Sequence, residues 1–107
     1  MSAVKHNKGK VKLTLVPPSA IEAEARAMEF GMNKYGRDNY RSGFPITELL
    51  DACKRHVDAY LAGEDLDSES GLPHPAHARA CLGILIETLR LGTATDDRYK
   101  PGHKESK

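Results

Sequence analysis

The sequence predicts a small all-α domain, and three observations carry that prediction. Three stretches show helical apolar spacing, near residues 19–34, 47–62 and 74–91. Each is bounded by proline, glycine or a polar turn. The one strand-like run, Leu13-Thr14-Leu15-Val16, finds no partner strand elsewhere in the chain.

Residues 1–18 carry Lys5, Lys8, Lys10 and Lys12 and are expected to be an extended basic segment, stopped by Pro17-Pro18. Ser19-x-x-Glu22 matches a capping box, in which hydroxyl and carboxylate each satisfy an orphan N–H at the start of a helix. Ile21, Ala25, Met28 and Met32 then form one apolar stripe, and Gly36 suits a left-handed helix end. Thr47 is the expected cap of the second helix. Its buried face is read as Leu49, Cys53, Val57, Tyr60 and Leu61, with His56 beside it and Gly63 as terminator.

Pro73 and Pro75 suit the first turn of the third helix, where no N–H is needed. This helix is apolar on nearly every side between Ala80 and Ile86, so it is expected to be the most buried, with Gly92 closing it. Residues 93–107 lack periodicity and are expected to be a flexible polar tail after a helical domain at 19–92.

Composition narrows the function. With 107 residues there is one domain at most, and 16 basic residues against 15 acidic give a formal charge of only +1. That balance argues against a strong pull toward nucleic acid or a membrane surface, so no stable nucleic-acid binding is expected. No apolar run is long enough to span a membrane. Tryptophan is absent, so the core is aliphatic and small; completion by a homo-oligomer is expected. Cys53 and Cys81 fall among apolar residues and read as small buried hydrophobes in a reducing, cytoplasmic setting.

Three groups of residues carry chemistry. The turn Gly63-Glu64-Asp65-Leu66-Asp67-Ser68-Glu69-Ser70-Gly71 offers four carboxylates, which either hold a hard divalent cation or form a solvated corner favouring the next helix N-terminus. It is no EF-hand, because the glycine and the final glutamate of that loop are missing. His74 and His77, three residues apart, face one point, and His56 on the neighbouring helix adds a third imidazole. They are metal ligands or hydrogen-bonded core residues, since a buried imidazole needs partners in either case. Finally, Lys34, Tyr35, Arg37, Asn39, Tyr40 and Arg55 offer cations, an amide and aromatic rings, enough to hold phosphate and stack a base. The plainer reading is a polar loop anchored by two tyrosines. No nucleophile motif, phosphate loop, CxxC or HExxH occurs, which leaves metal-assisted hydrolysis as the enzymatic option.

Taken in order, these motifs resemble a known family. Gly9-Lys10 with Leu13-x-Leu15-Val16-Pro17, Phe30-Gly31-x-x-Lys34-Tyr35-Gly36-x-x-Asn39-Tyr40 and Arg55-His56 come first. Gly63-Glu64-Asp65-x-Asp67-x-Glu69-Ser70-Gly71-x-x-His74-x-x-His77-Ala78 completes the set. Together, over about residues 9–90, they are similar to the phage-rich dATP/dGTP diphosphohydrolase N-terminal domain family, MazG-like in its helical character. The resemblance implies a helical domain that handles purine deoxynucleotides. For active members it implies hydrolysis to monophosphate and pyrophosphate with Mg²⁺ or Mn²⁺. Glu64 and Asp67 would then be catalytic, and Glu64, Asp67, Glu69, His56, His74 and His77 the metal-ligand set. Lys34, Tyr35, Arg37, Asn39, Tyr40 and Arg55 would bind substrate, and a phage protein would work in the host cytoplasm. One departure from MazG-type enzymes stands out: Glu64-x-x-Asp67 matches their ExxD in letters but falls in a turn, and the second helix carries no ExxE. The alternative function is a non-catalytic protein that sequesters a nucleotide signal of host defence.

Overall fold

The computed structural model describes residues 8–102. Lys5, part of the expected basic segment, lies outside them. The described chain is all-α: α1 (Pro18–Tyr35), α2 (Ile46–Leu61) and α3 (His74–Leu91), with 3-10 turns at Leu13–Leu15 and Asn39–Ser42. The strand-like run thus forms a 3-10 turn. Among the described residues no helix is long and apolar enough to cross a membrane.

The three helices match the expected spans within a residue, but their ends are built differently. α1 begins at Pro18, where the fixed φ of proline suits the first helical position, and no side chain caps it. Ser19 is already helical, so the expected capping box does not form, and Glu22 pairs with Arg26 instead at 2.7 Å. Gly36 ends α1 with φ 96° and ψ 150°, an extended left-hand conformation rather than the expected helical one. Gly92 does close α3 in the left-handed helical region.

Thr47 does not cap α2. The helix begins at Ile46, and its first amides are satisfied from the other end of the chain. Ile46 N–H donates to Thr95 O at 2.9 Å, and Thr47 N–H donates to Asp97 Oδ1 at 2.9 Å. Thr47 Oγ1 also donates to Asp97 Oδ2. A carboxylate at a helix N-terminus is favoured by the helix dipole. Bonding to Thr47 holds the Asp97 carboxyl below the usual range. Part of the stretch expected to be a flexible tail is therefore tied down: Thr93 and Ala94 donate to Thr88 O, and Thr95 N–H donates to Phe44 O at 3.0 Å.

α3 packs against both other helices. Its contact with α1 is made of small residues: Ala27, Ala76 and Ala80 form a buried cluster joined by Ala23, Met28 and Leu72. Close approach is also visible at Gly83, where a Cβ would lie 2.3 Å from Glu24 Oε2. Glu24 in turn pairs with Arg79 at 3.0 Å. This packing corrects the expected α1 stripe. Ala20, Ala23, Ala27 and Phe30 face inward, while Ile21 is 52% exposed, because the narrow α1–α3 gap admits alanines and not isoleucine.

A second correction concerns α2, whose predicted face is buried at Leu49 and half-buried at Cys53 but exposed at Val57, Tyr60 and Leu61. The turn after α2 folds over the His56 side and leaves Leu61 80% exposed. α3 is central as expected, yet Leu82, Ile86 and Leu89 lie bare along its outer side. Both cysteines are free and half-buried.

The 3-10 turn Asn39–Ser42 is held to α3 by Arg41, which bonds Asp38 at 2.8 Å and Glu87 at 3.0 Å. Hydrogen bonding from Arg90, with a further contribution from Arg41, lowers the Glu87 carboxyl to about 2. The turn ends at Gly43, with φ 105°, where a Cβ would sit 2.0 Å from Thr93 O. Gly36 has a comparable φ but open space around it. Gly36→Ala should therefore cost only the backbone strain, about 1–3 kcal/mol. Gly43→Ala adds a backbone clash and should cost clearly more, read as a larger drop in urea midpoint.

Candidate functional site

The turn between α2 and α3 is a closed, hydrogen-bonded structure rather than a solvated string. Gly63, at φ 97°, reverses the chain and donates to Tyr60 O at 3.0 Å. Asp67 N–H donates to Leu72 O at 2.8 Å and His74 N–H to Asp65 O at 3.1 Å, pairing the two limbs. Asp67 Oδ2 then accepts the amides of Glu69 (3.2 Å) and Ser70 (2.9 Å), an Asx-type turn. Burial works against the Asp67 carboxylate, but the bonds from Ser70 and the nearby imidazoles outweigh it and hold its pKa below the ordinary value.

Against this turn stand three imidazoles. His74, only 4% exposed, has Nε2 2.7 Å from Glu64 Oε2 and Nδ1 2.8 Å from His56 Nδ1. A carboxylate only accepts, so His74 Nε2 carries a proton, and one of the two facing Nδ1 atoms donates to the other. His77 stacks on His56 with ring centroids 4.7 Å apart, and Phe30 meets His77 edge-on at 5.9 Å. His77 Nε2 is 2.6 Å from Ser70 Oγ and 3.9 Å from Asp67 Oδ2. One donor atom each from His56, Asp67 and His74 lie within 4.8 Å of one another.

His56, His77 and Asp67 of this cluster floor a cavity of about 420 Å³, within the range of small-molecule sites. Lys34, Tyr35, Arg37, Asn39, Tyr40, Arg55, His56, Asp67, Glu69 and His77 all line it. Glu64 and His74 do not; Glu64 stands behind His74, largely exposed. Glu69 is engaged by Lys34, whose ammonium also lies 5.4 Å from the Tyr35 ring centroid. Arg41 lies over the Tyr40 ring at 5.0 Å, while Tyr35 is 63% exposed. Among the described residues, neither Arg37 nor Arg55 is in an ion pair. Ser70 and Phe30 complete the site and were not assigned roles from sequence. The Asp67-Ser68-Glu69-Ser70 spacing, suited to an Asx turn, was the available signal for Ser70.

Fold and site together define an all-α domain with a histidine–aspartate cluster beneath a cationic, tyrosine-edged cavity. The chain belongs to the "dATP/dGTP diphosphohydrolase, N-terminal" family, whose model matches residues 2–98. A protein named dATP/dGTP diphosphohydrolase from Salmonella phage PMBT28 is 41% identical over 98 residues, covering 92% of this chain and 33% of that protein. The chain thus spans about a third of the length of this curated relative. No solved structure matches.

Burial, reinforced by the neighbouring imidazoles, lowers the pKa of His56; burial also lowers that of His77 against the pull of Asp67. The neutral rings are the folded form, so their contribution is fully present above about pH 6.5 and is lost as pH falls through the lowered folded values. In metal-free protein the urea midpoint should therefore drop below pH 6.5. His77→Gln should make that drop shallower.

Proposed function

We propose that this chain binds a purine deoxynucleoside triphosphate in the cavity and supports its metal-dependent hydrolysis to monophosphate and pyrophosphate. The carrying observation is the juxtaposition in one volume of Arg37 and Arg55, free of ion pairs among the described residues, with the His56–Asp67 floor. Family membership and the relative's name support the substrate class.

The guanidinium groups of Arg37 and Arg55 suit phosphate oxygens, each offering paired N–H donors. Tyr35 offers an exposed ring for the base, and Asn39 an amide for its edge. Tyr40 has one face covered by Arg41, so it serves better as a wall. The donor set of His56, His74 and Asp67 fits a divalent cation, two imidazole nitrogens and one carboxylate oxygen being common ligands. Such a cation, when bound, supplies positive charge that offsets the phosphates and acidifies water. Asp67 faces the cavity, while Glu64 acts through His74 as a positioning residue.

Incubation with a panel of deoxynucleoside triphosphates and Mg²⁺ or Mn²⁺, resolved by chromatography, tests this. Monophosphate and pyrophosphate are expected, abolished by EDTA and reduced about 100-fold or more in Asp67→Asn. Arg55→Met should chiefly raise KM. Intact nucleotide with binding insensitive to EDTA would instead make the chain a nucleotide-sequestering protein.

We also propose self-association through the outer side of α3, where Leu82, Ile86 and Leu89 share one helical stripe and Ile86 is 69% exposed. Light scattering should give a multiple of the 11.7 kDa chain mass, and Ile86→Glu should return it to that mass.

A further inference from the structure

We propose that His56, His74 and Asp67 form a site for a divalent transition-metal ion of the Mn²⁺, Co²⁺ and Zn²⁺ class that discriminates against Mg²⁺, with Glu64 orienting His74 instead of binding the ion. This deepens the hydrolase reading by naming the cation, and rests on that reading only for what the ion does.

Six side chains were expected to share the metal, and their contacts divide them. Glu69 is taken up by Lys34. His77 turns Nε2 to the Ser70 hydroxyl. Glu64 reaches only the far nitrogen of His74, at 2.7 Å. That leaves the Nδ1 atoms of His56 and His74, 2.8 Å apart, and the Asp67 carboxylate, with one donor from each residue inside a 4.8 Å span. Ligands about 2.0–2.2 Å from a shared ion stand about 3–3.6 Å apart at octahedral or tetrahedral angles, so the two Nδ1 atoms part slightly while the Asp67 oxygen, within 4.8 Å of both histidine donors, draws in.

Each ligand is prepared by its surroundings. The Glu64–His74 bond fixes a proton on Nε2 and so directs the His74 lone pair to Nδ1, the carboxylate–histidine support found behind metal-bound imidazoles. An ion would replace the Nδ1–Nδ1 hydrogen bond, with the proton between them moving to His56 Nε2. Asp67 Oδ2 is pinned by two amides, whereas Oδ1 has no hydrogen-bond partner among the described residues. His56 and Asp67 both line the cavity, so positions on that side are open to water or a phosphate oxygen.

Donor chemistry then selects the ion. Mg²⁺ favours octahedral oxygen ligands and keeps much of its water, while imidazole nitrogen suits the first-row transition ions. A two-histidine, one-carboxylate set with free positions belongs to the second group.

The full chain, stripped with EDTA, is titrated with Co²⁺ and followed by visible d–d absorption, with Zn²⁺ and Mg²⁺ as competitors. One equivalent of Co²⁺ should bind, be displaced by about one equivalent of Zn²⁺, and survive a large excess of Mg²⁺. Asp67→Asn and His74→Asn should remove the spectrum, while Glu64→Gln should weaken Co²⁺ binding about 10- to 100-fold without abolishing it. Circular dichroism confirms that each variant is folded, and the wild-type competition stands independently of them. Absence of the Co²⁺ spectrum, displacement by Mg²⁺ at comparable concentration, or Glu64→Gln as damaging as Asp67→Asn would overturn the site. Co²⁺ binding without nucleotide turnover would sink the hydrolase reading and leave the site standing. Full turnover with Mg²⁺ in folded His74→Asn would do the reverse.

Discussion

The buried imidazole of His74 is the constraint on which the rest of the site depends. It sits at the first position of α3 with one nitrogen against Glu64 and the other against His56. A buried polar ring without partners would cost on the order of 1–3 kcal/mol. Satisfying it requires the turn to close over α2 from one side and His56 to approach from the other. The Asp65 carbonyl, holding the His74 amide, completes the same junction. Turn, α2 and α3 are thereby fixed at one point, and Asp67 is carried to the cavity floor.

A second constraint is the narrow α1–α3 contact. Alanines at Ala27, Ala76 and Ala80 let the helices approach closely, and Gly83 admits the Glu24 carboxylate. Small residues contribute little buried area each, about 25 cal/mol per Å². The consequence is a small core with large apolar side chains left outside it, on α3 at Leu82, Ile86 and Leu89 and on α2 at Val57 and Leu61. The close approach also brings Phe30, Lys34 and Tyr35 of α1 to the same cavity as His56 and His77.

The chemistry of the site follows from partition of charge. Lys34 and Glu69 neutralise one another at the rim, and Arg41 is spent on Asp38 and Glu87. Arg37 and Arg55 carry the positive potential that the cavity offers to an anion. Burial lowers the pKa values of His56 and His77 below them, favouring the neutral state in which a ring nitrogen keeps its lone pair.

The sequence by itself determined three helices, their spans to within a residue, and the family. Helical periodicity, proline and glycine punctuation and the ordered motifs are local properties, readable without contacts. It also nominated twelve site residues, ten of which line the cavity. Only the tertiary structure decided which face of each helix is buried, because Ile21 and Ala27 are both apolar and the choice falls to the width of the α1–α3 gap. Only it decided that Asp97 caps α2 from fifty residues away, since a long-range hydrogen bond leaves no periodic trace. And only it separated Glu64 from Asp67: both are acids of one turn in sequence, yet backbone pairing puts one behind His74 and the other on the cavity floor.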